Sequence, residues 1–416
     1  MAAAQSSIAP PAGVRIAMLA HSYYEEDPRV RREAEALAAA GHRVDVFALR
    51  RPGDPGTVTI EGVVVHRLSV ERHQGARLRV YLREYLSFFT RSMFALTRSH
   101  VRRRYALVQV HTLPDFLVFA TLPLRLVGVP VILDMHEAMP EFFSARFGAR
   151  PRGVGVRLLR LQERLACRFA TAVVTVNQAL GDRLVGLGVA PRKLTIVPNA
   201  PSLVRFSSAA HPSRSFMEDG GLRLVYTGAL SPTYELDVVF DAVARLVEQE
   251  PDLDVRLDLY GRDFAEVPLP ELADRLGITE RVTFHDRIPI DAVPAALAGT
   301  DLGLAPTRRT PFTDYSLSTK VFEYAAMGKP VVASRLPMVV ATFGDDVATY
   351  EPGDAGDLAR TIRDVVRDAD ARRARVERAR ARVEGLSWEV ESLRYLALVD
   401  GLVSRAESRQ APTQES

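Results

Sequence analysis

One theme recurs along this chain: a short apolar run rich in β-branched residues, a stretch with apolar positions at helical spacing, then another apolar run. "VRIAMLA" (14–20) opens it, and "RREAEALAAAGHRVDVFAL" follows as helix, glycine stop at Gly41 and strand. "ALVQVHT", "FLVFATLPLRLVG" and "PVILDMHE" repeat the order, as do "LLRLQERLACRFA", "TAVVTVN", "ALGDRLVGLG" and "KLTIVPN". Strands written as unbroken apolar runs are covered on both faces, and strands joined through helices run parallel. The first half is expected to be a parallel sheet wrapped by helices.

"APSLVRFSSAAHPSRSFMEDGG" (200–221) interrupts the rhythm with Pro, Ser and Gly and reads as a linker. A second series then begins with "LRLVYTG", "LDVVFDAVARLVEQ" and "VRLDLYG" and runs through "TDLGLAPT" and "PVVAS" to "DLARTIRDVVRDA". The expected organisation is a first Rossmann-like domain over 14–200, a linker over 201–221 and a second Rossmann-like domain over 222–386. A final amphipathic helix over 387–405, "SWEVESLRYLALVDGLV", is long enough to pack back across the domain junction. Doubly wound sheets of this kind place ligands at the carboxyl ends of their strands.

Composition narrows the class. With 416 residues, 47% apolar and 25% charged, the chain can bury two cores, and disorder is expected only at its ends. "MAAAQSSIAPPAG" lacks the basic start and apolar centre of a signal peptide, and no uninterrupted apolar window is long enough to span a bilayer. The single Cys167 excludes an internal disulfide framework and a multi-cysteine metal site, which points to a reducing, cytoplasmic compartment. Charge is divided unevenly. Residues 1–205 hold 29 Lys and Arg against 16 Asp and Glu, whereas the remainder holds 25 against 35. A basic first half favours a membrane surface, a phosphorylated substrate or nucleic acid as partner.

The order of motifs resembles the GT-B fold glycosyltransferases, specifically the retaining family 4 group that takes sugar from a nucleotide-sugar donor. The resemblance spans about residues 14–403. Its carriers in the first half are "DPRVRREAEALAAAGHRV", "VPVILDMHE" and "KLTIVPNA"; in the second they are "LVYTGAL", "LDLYGRD", "RVTFHDRI", "STKVFEYAAMGKPVVAS" and "LSWEVESLRYL". It implies an α/β GT-B fold of two Rossmann-like domains facing each other across a cleft. It also implies donor binding in the second domain, acceptor binding in the first, and no bound metal or cofactor.

Under that resemblance the stretch "YSLSTKVFEYAAMGKP" is the donor site. A helix beginning near Thr319 would turn the backbone N–H groups of Ser318, Thr319 and Lys320 toward the donor diphosphate, with Tyr315, Ser316 and Leu317 leading in. Lys320 adds a full charge, and Glu323 matches the second glutamate of the family's pair, which holds the ribose. The first glutamate of that pair is replaced by Tyr315. The loop "GALSPTYELD" supplies Gly228 and Ala229, with Ala229 and Tyr234 where relatives often carry Arg and Lys. The missing positive charge is expected from Arg262 and from Arg308 or Arg309.

In the first domain, His136 matches the family's histidine beside the reacting centre, as an electrostatic and hydrogen-bonding aid, and joins Glu323 as the catalytic candidates. Asp134 and Glu137 flank it, either setting its tautomer or binding acceptor hydroxyls. Tyr23, Tyr24 and Asp27 in "HSYYEEDPRV" and His111 in "VHTLPD" complete the acceptor-side candidates, His111 being equally readable as a structural histidine. Arg29 either meets a phosphate or forms a surface pair with Glu33.

Residues 72–104 interleave arginines with Leu, Tyr, Phe and Met at helical spacing. That pattern reads as a stretch lying on anionic lipid through Arg77, Arg79, Arg83 and Arg91, the alternative being an amphipathic helix whose apolar stripe faces the core. Nucleic acid is not expected, since no recognition motif accompanies the charge. The expected function is transfer of a sugar from a nucleotide-diphosphate donor, with retention, to a lipid-linked or surface-polysaccharide acceptor. The expected location is the cytoplasm, peripheral on the inner face of the plasma membrane. The rivals are a non-catalytic scaffold of a glycan-assembly complex and an epimerase or phosphorylase of the same fold.

Overall fold

The computed structural model describes residues 13–73, 78–148, 150, 153–262 and 268–410. The chain divides into two compact units, residues 1–198 with 392–416, and residues 199–391.

The first unit is built on eight strands: β1 (Arg15–Leu19), β2 (Arg43–Leu49), β3 (Thr57–Ile60), β4 (Val63–Leu68), β5 (Leu107–His111), β6 (Val131–Met135), β7 (Ala172–Thr175) and β8 (Leu194–Ile196). Their order is β3-β4-β2-β1-β5-β6-β7-β8. Helices α1 (Pro28–Ala39), α2 (Leu78–Arg103), α3 (Leu122–Leu126), α4 (Met139–Phe147), α5 (Val154–Phe169) and α6 (Gln178–Gly186) connect them. β5 and β6 are buried at every position, as their apolar runs require. The sheet departs from the all-parallel expectation at one edge, where β3 pairs antiparallel with β4. Glu61 and Gly62, with φ of 47° and 79°, make the two-residue turn between them.

The second unit carries six parallel strands: β9 (Leu222–Thr227), β10 (Val255–Tyr260), β11 (Val282–His285), β12 (Leu302–Ala305), β13 (Val331–Ser334) and β14 (Ala348–Tyr350). Their order is β11-β10-β9-β12-β13-β14, so the strand sequence reverses beside β9. Its helices are α7 (Leu236–Gln249), α8 (Leu269–Arg275), α9 (Val293–Ala298), α10 (Thr319–Ala326), α11 (Pro337–Phe343), α12 (Ala355–Arg367) and α13 (Ala369–Gly385). The stretch read as a linker is not a free tether. Phe206 is buried in the core of this unit, and Leu203 packs against the same cluster. The last helix, α14 (Trp388–Gln410), starts within the second unit, and from Ser392 onward it belongs to the first.

Candidate functional site

Two groups of polar side chains gather at strand ends, one in each unit. In the first unit they collect at the carboxyl ends of the neighbouring strands β5 and β6. Register sets His111 directly beside Asp134, and Gln109 precedes His111 by two residues on the same face of the sheet.

Asp134 is fully buried and is gripped by Arg29 from the first turn of α1. The guanidinium makes a two-pronged contact, Nε to Oδ2 at 2.6 Å and Nη2 to Oδ1 at 2.7 Å. A third Arg29 nitrogen donates to the carbonyl of Val197 at 3.1 Å, and Glu33 lies 3.2 Å from Nη2. His111 Nδ1 meets Asp134 Oδ2 at 2.8 Å.

The network continues inward. The Gln109 amide nitrogen reaches Glu33 at 2.5 Å and His111 Nε2 at 3.3 Å, and its carbonyl accepts from the Tyr395 hydroxyl at 2.7 Å. One amide orientation satisfies all of these contacts. It makes Nε2 of His111 the acceptor, leaving the proton on Nδ1 to point at Asp134.

His136 follows β6 on the open side of this cluster. Its Nδ1 is 3.5 Å from Asp134 Oδ2, within ion-pair reach but longer than a hydrogen bond, and 16% of its side chain is exposed. Burial alone would lower its pKa, but the nearby carboxylate of Asp134 and the charge of Glu137 prevail and raise it. Burial likewise opposes ionisation of Asp134, yet Arg29, His111 and His136 hold the carboxyl well below the usual range. Glu137 is half-buried, and burial pushes its pKa up.

The acceptor-side candidates separate on this geometry. Tyr24 is 1% exposed and its ring is core, whereas the Tyr23 ring is half-buried and lies 4.3 Å from the Arg51 guanidinium carbon. Asp27 caps α1, its Oδ1 accepting from the backbone N–H of Arg29 and Val30 at 3.2 Å. His111 and Asp134 are buried, their polar atoms taken up by each other, by Arg29 and by Gln109. Arg29 is 4% exposed, and its pair with Glu33 is therefore a core contact, not a surface one.

One metal-like grouping stands out among the described residues. The ligand atoms of His111, Asp134 and His136 lie within 4.8 Å of one another. They do not fit a divalent ion as arranged. Both Asp134 oxygens already accept from Arg29, whose fixed positive charge would face the ion.

In the second unit the group forms at the ends of β9 and β10 and the start of α10. The chain turns at Gly228 with φ of 136°, and its N–H donates to the Tyr260 carbonyl at 2.8 Å. A Cβ at Gly228 would sit 2.7 Å from Lys320 Cε, and one at Gly261 would sit 2.0 Å from the Gly228 carbonyl oxygen. Only glycines allow this close approach of two loops and one lysine.

Lys320, 7% exposed, lays its Nζ 4.0 Å from the centre of the Tyr234 ring and 5.0 Å from that of Tyr226. One turn on, the Tyr324 hydroxyl holds Thr227 through the backbone N–H at 3.1 Å and the side chain at 3.2 Å. Lys320 and Tyr324 thus lock one face of α10 to the loop after β9.

Helix α10 begins at Thr319, where the sequence placed it, and Ser318 is its N-cap without a side-chain capping bond. The leading N–H groups have no acceptor within the helix. Glu323 is half-buried on the adjacent face. Tyr315 ends a single helical turn, Ser316 spends its hydroxyl on the Phe312 carbonyl at 3.3 Å, and Leu317 packs against the core. Ala229 accepts from the Tyr226 hydroxyl at 2.6 Å.

Of the expected extra cations, Arg308 is held by Asp237 at 2.9 and 3.0 Å and Arg309 by Asp314 at 3.2 Å. Arg262 is exposed, and its carbonyl accepts from Leu230 N–H at 3.3 Å, which sets it beside the same loop.

Sequence reasoning missed Gln109 and Tyr395. Gln109 and His111 alternate with valines along β5, and a polar residue on a face that should be apolar is the signal that marks such a cluster. It also missed Asp115, fully buried with neither carboxyl oxygen hydrogen-bonded among the described residues. Burial and then the charge of Glu163 push its pKa well up.

The chain matches two family models, a glycosyl transferase 4-like domain over residues 27–200 and glycosyl transferases group 1 over residues 221–368. A D-inositol 3-phosphate glycosyltransferase of Salinispora arenicola is 24% identical over 86% of this chain and 82% of its own length. A 2-deoxystreptamine glucosyltransferase of Streptomyces kanamyceticus is 26% identical over 82% of this chain and 89% of its own.

Among solved structures, sucrose-phosphate synthase from Thermosynechococcus elongatus superposes with a TM-score of 0.74 at 19% identity, covering 94% of this chain and all of that one. Anabaena HepE in complex with UDP and glucose gives 0.68 at 16% identity over 93% of this chain and all of its own.

Proposed function

We propose, from the premise that this chain belongs to the glycosyltransferases of the GT-B fold, with a 4-like first domain and a group 1 second domain, that it moves a sugar from a nucleotide-diphosphate donor to a hydroxyl acceptor with retention. The observation that carries the donor assignment is the packing of Lys320 against Gly228 at the start of α10, in the unit that matches the group 1 model.

A leaving diphosphate there would take hydrogen bonds from the helix N-terminus and a full charge from Lys320, with Glu323 accepting from the ribose. The UDP held by the Anabaena structure favours a uridine nucleotide. In the first unit His136, raised in pKa by Asp134, would donate to developing negative charge while a donor phosphate oxygen takes the acceptor proton. No metal is assigned to this cluster, a reading supported by the Arg29 charge that already faces Asp134.

The acceptor is proposed as a lipid-linked or surface-polysaccharide glycan, a reading supported by the arginine-rich outer helices of the first unit. The names of the two relatives favour a second reading, a small hydroxylated acceptor such as an inositol phosphate. Tyr315 in place of a glutamate favours a third, a non-catalytic scaffold.

Calorimetry with UDP, GDP, ADP and dTDP, followed by product analysis with the matching nucleotide sugars, tests the assignment. Nucleotide binding weakened by Lys320→Ala, together with a product of retained anomeric configuration, supports it. Binding unaffected by Lys320→Ala overturns the donor site, and binding without any transfer favours the scaffold.

A further inference from the structure

Two helices of the first unit carry large apolar side chains on two faces, one against the core and one toward solvent. α2 buries Glu84, Phe88, Ser92 and Leu96 and leaves Leu82, Leu86, Phe94 and Val101 outward, Phe94 and Val101 each 71% exposed. α5 buries Val156, Glu163, Ala166 and Cys167 and turns Val154, Leu158, Leu161 and Leu165 to solvent, Val154 being 73% exposed. Those four positions recur at helical spacing and form one stripe.

Between the two helices lies the segment Asp115–Leu126. Its Phe116 packs on Tyr85 and Phe89 of α2, its Phe119 meets Phe169 of α5 at 5.2 Å, and Arg125 donates to the Phe169 carbonyl at 3.3 Å. α3, at its end, exposes Leu126 by 77%. The three outer faces are therefore neighbours. The sequence pattern had marked α2 alone.

Charge on this face has one sign. α2 carries six arginines and α5 four, and their only carboxylates, Glu84 and Glu163, are buried against His21 and Arg183. Arg79, Arg83 and Arg91 stand outward, while Arg77 lies outside the described residues. Exposed leucines among guanidiniums, with no exposed acid on either helix, match an anionic bilayer. Aliphatic side chains enter the acyl boundary and guanidiniums meet lipid phosphates. A nucleic acid would use the arginines and leave the leucines wet.

We propose that the outer face of α2, α3 and α5 docks this protein on an anionic lipid surface. The inference deepens the acceptor reading, since a docked enzyme meets lipid-linked acceptors in two dimensions, but it does not depend on transfer.

The full chain is sedimented with vesicles of phosphatidylcholine alone or mixed with phosphatidylglycerol, at low and high salt. Binding is expected only to the mixed vesicles, and each arginine removed should weaken it about fivefold. The pair Leu158→Glu and Leu161→Glu on α5 should weaken it at least about tenfold, with an unchanged urea melt and unchanged transfer to a soluble acceptor. A tryptophan placed by Leu158→Trp should be quenched by brominated lipid beyond the wild-type signal. Absence of binding to acidic vesicles at low salt overturns the proposal, as does equal binding by the α5 pair. A concentration-dependent dimer abolished by the same pair overturns it too, because the face would then belong to a second copy. Loss of transfer with vesicle binding intact would count against the transfer reading and leave the docking face standing.

Discussion

The ammonium of Lys320 lies 4.0 Å from the centre of the Tyr234 ring, at the position where the resemblance would have put a second cation. The ring holds the lysine against Gly228 and does not add charge. If Lys320 grips a diphosphate, Lys320→Ala should lower nucleotide affinity at least tenfold, since a hydrogen bond to a charged group is worth roughly 1.5–3 kcal/mol. Tyr234→Phe should preserve affinity, whereas Tyr234→Leu, which removes the aromatic face, should lose several-fold. Calorimetry with UDP checks the series, and equal affinity in all three variants would sink the assignment.

His136 is expected to act on turnover and not on nucleotide binding. Removing one preorganised polar group typically costs on the order of 100-fold in rate, so His136→Ala should cut kcat by about that much with UDP affinity intact. Proton NMR of the imidazole should show a pKa above the ordinary histidine value, and Asp134→Asn should bring it down.

Asp134 should dominate the acid sensitivity of the first unit. Its carboxyl is held well below its ordinary pKa, so its contribution to stability is present above about pH 4, the unfolded value, and is lost as pH falls through the lower folded value. Asp134→Asn removes the two-pronged partner of the buried Arg29 charge, leaves it Glu33 as counter-charge, and should cost up to about 3–5 kcal/mol at neutral pH. The difference from wild type should shrink at pH values below both pKa values. Urea melts at neutral and acid pH measure both; a constant difference across the range would rule the linkage out.

Asp115 should behave in the opposite sense. As a buried acid with a raised pKa, it favours the folded state less as pH rises above the unfolded carboxylate value. Asp115→Asn, which cannot ionise, should therefore gain stability relative to wild type between pH 4 and neutral. Paired thermal melts across that window decide it, and a parallel pH dependence for the two proteins would refute the raised pKa.

Tyr395 ties the returning helix to the cluster through Gln109. Tyr395→Phe leaves the Gln109 carbonyl without its donor and should cost about 1–3 kcal/mol. If the amide also sets the His111 tautomer, kcat should fall while KM holds. A stability loss with an unchanged kcat and pH profile would reduce Tyr395 to packing alone.

Much of this architecture is written in local pattern. Alternating apolar runs and helical spacings announce two α/β units, and the break near residue 200 agrees with the boundary at Pro198. The start of α10 at Thr319 is equally local, because "SLST" disfavours helix before it and the apolar spacing follows it. The β3–β4 hairpin escaped notice because its strands are short and half exposed.

What the tertiary structure decided is which residues meet. Helical spacing offers Arg29 only Glu33, yet its two-pronged partner Asp134 is 105 residues away. That contact exists because β1, β5 and β6 lie side by side, an order set by packing of the whole sheet and not by any segment alone. The same holds for α2 and α5. Their sequences show leucines and arginines at helical period, but a period does not say which face is covered. The core took Phe88 and Leu96 of α2 and Val156, Ala166 and Cys167 of α5, each beside a glutamate with a buried partner, and a second apolar stripe was left outside.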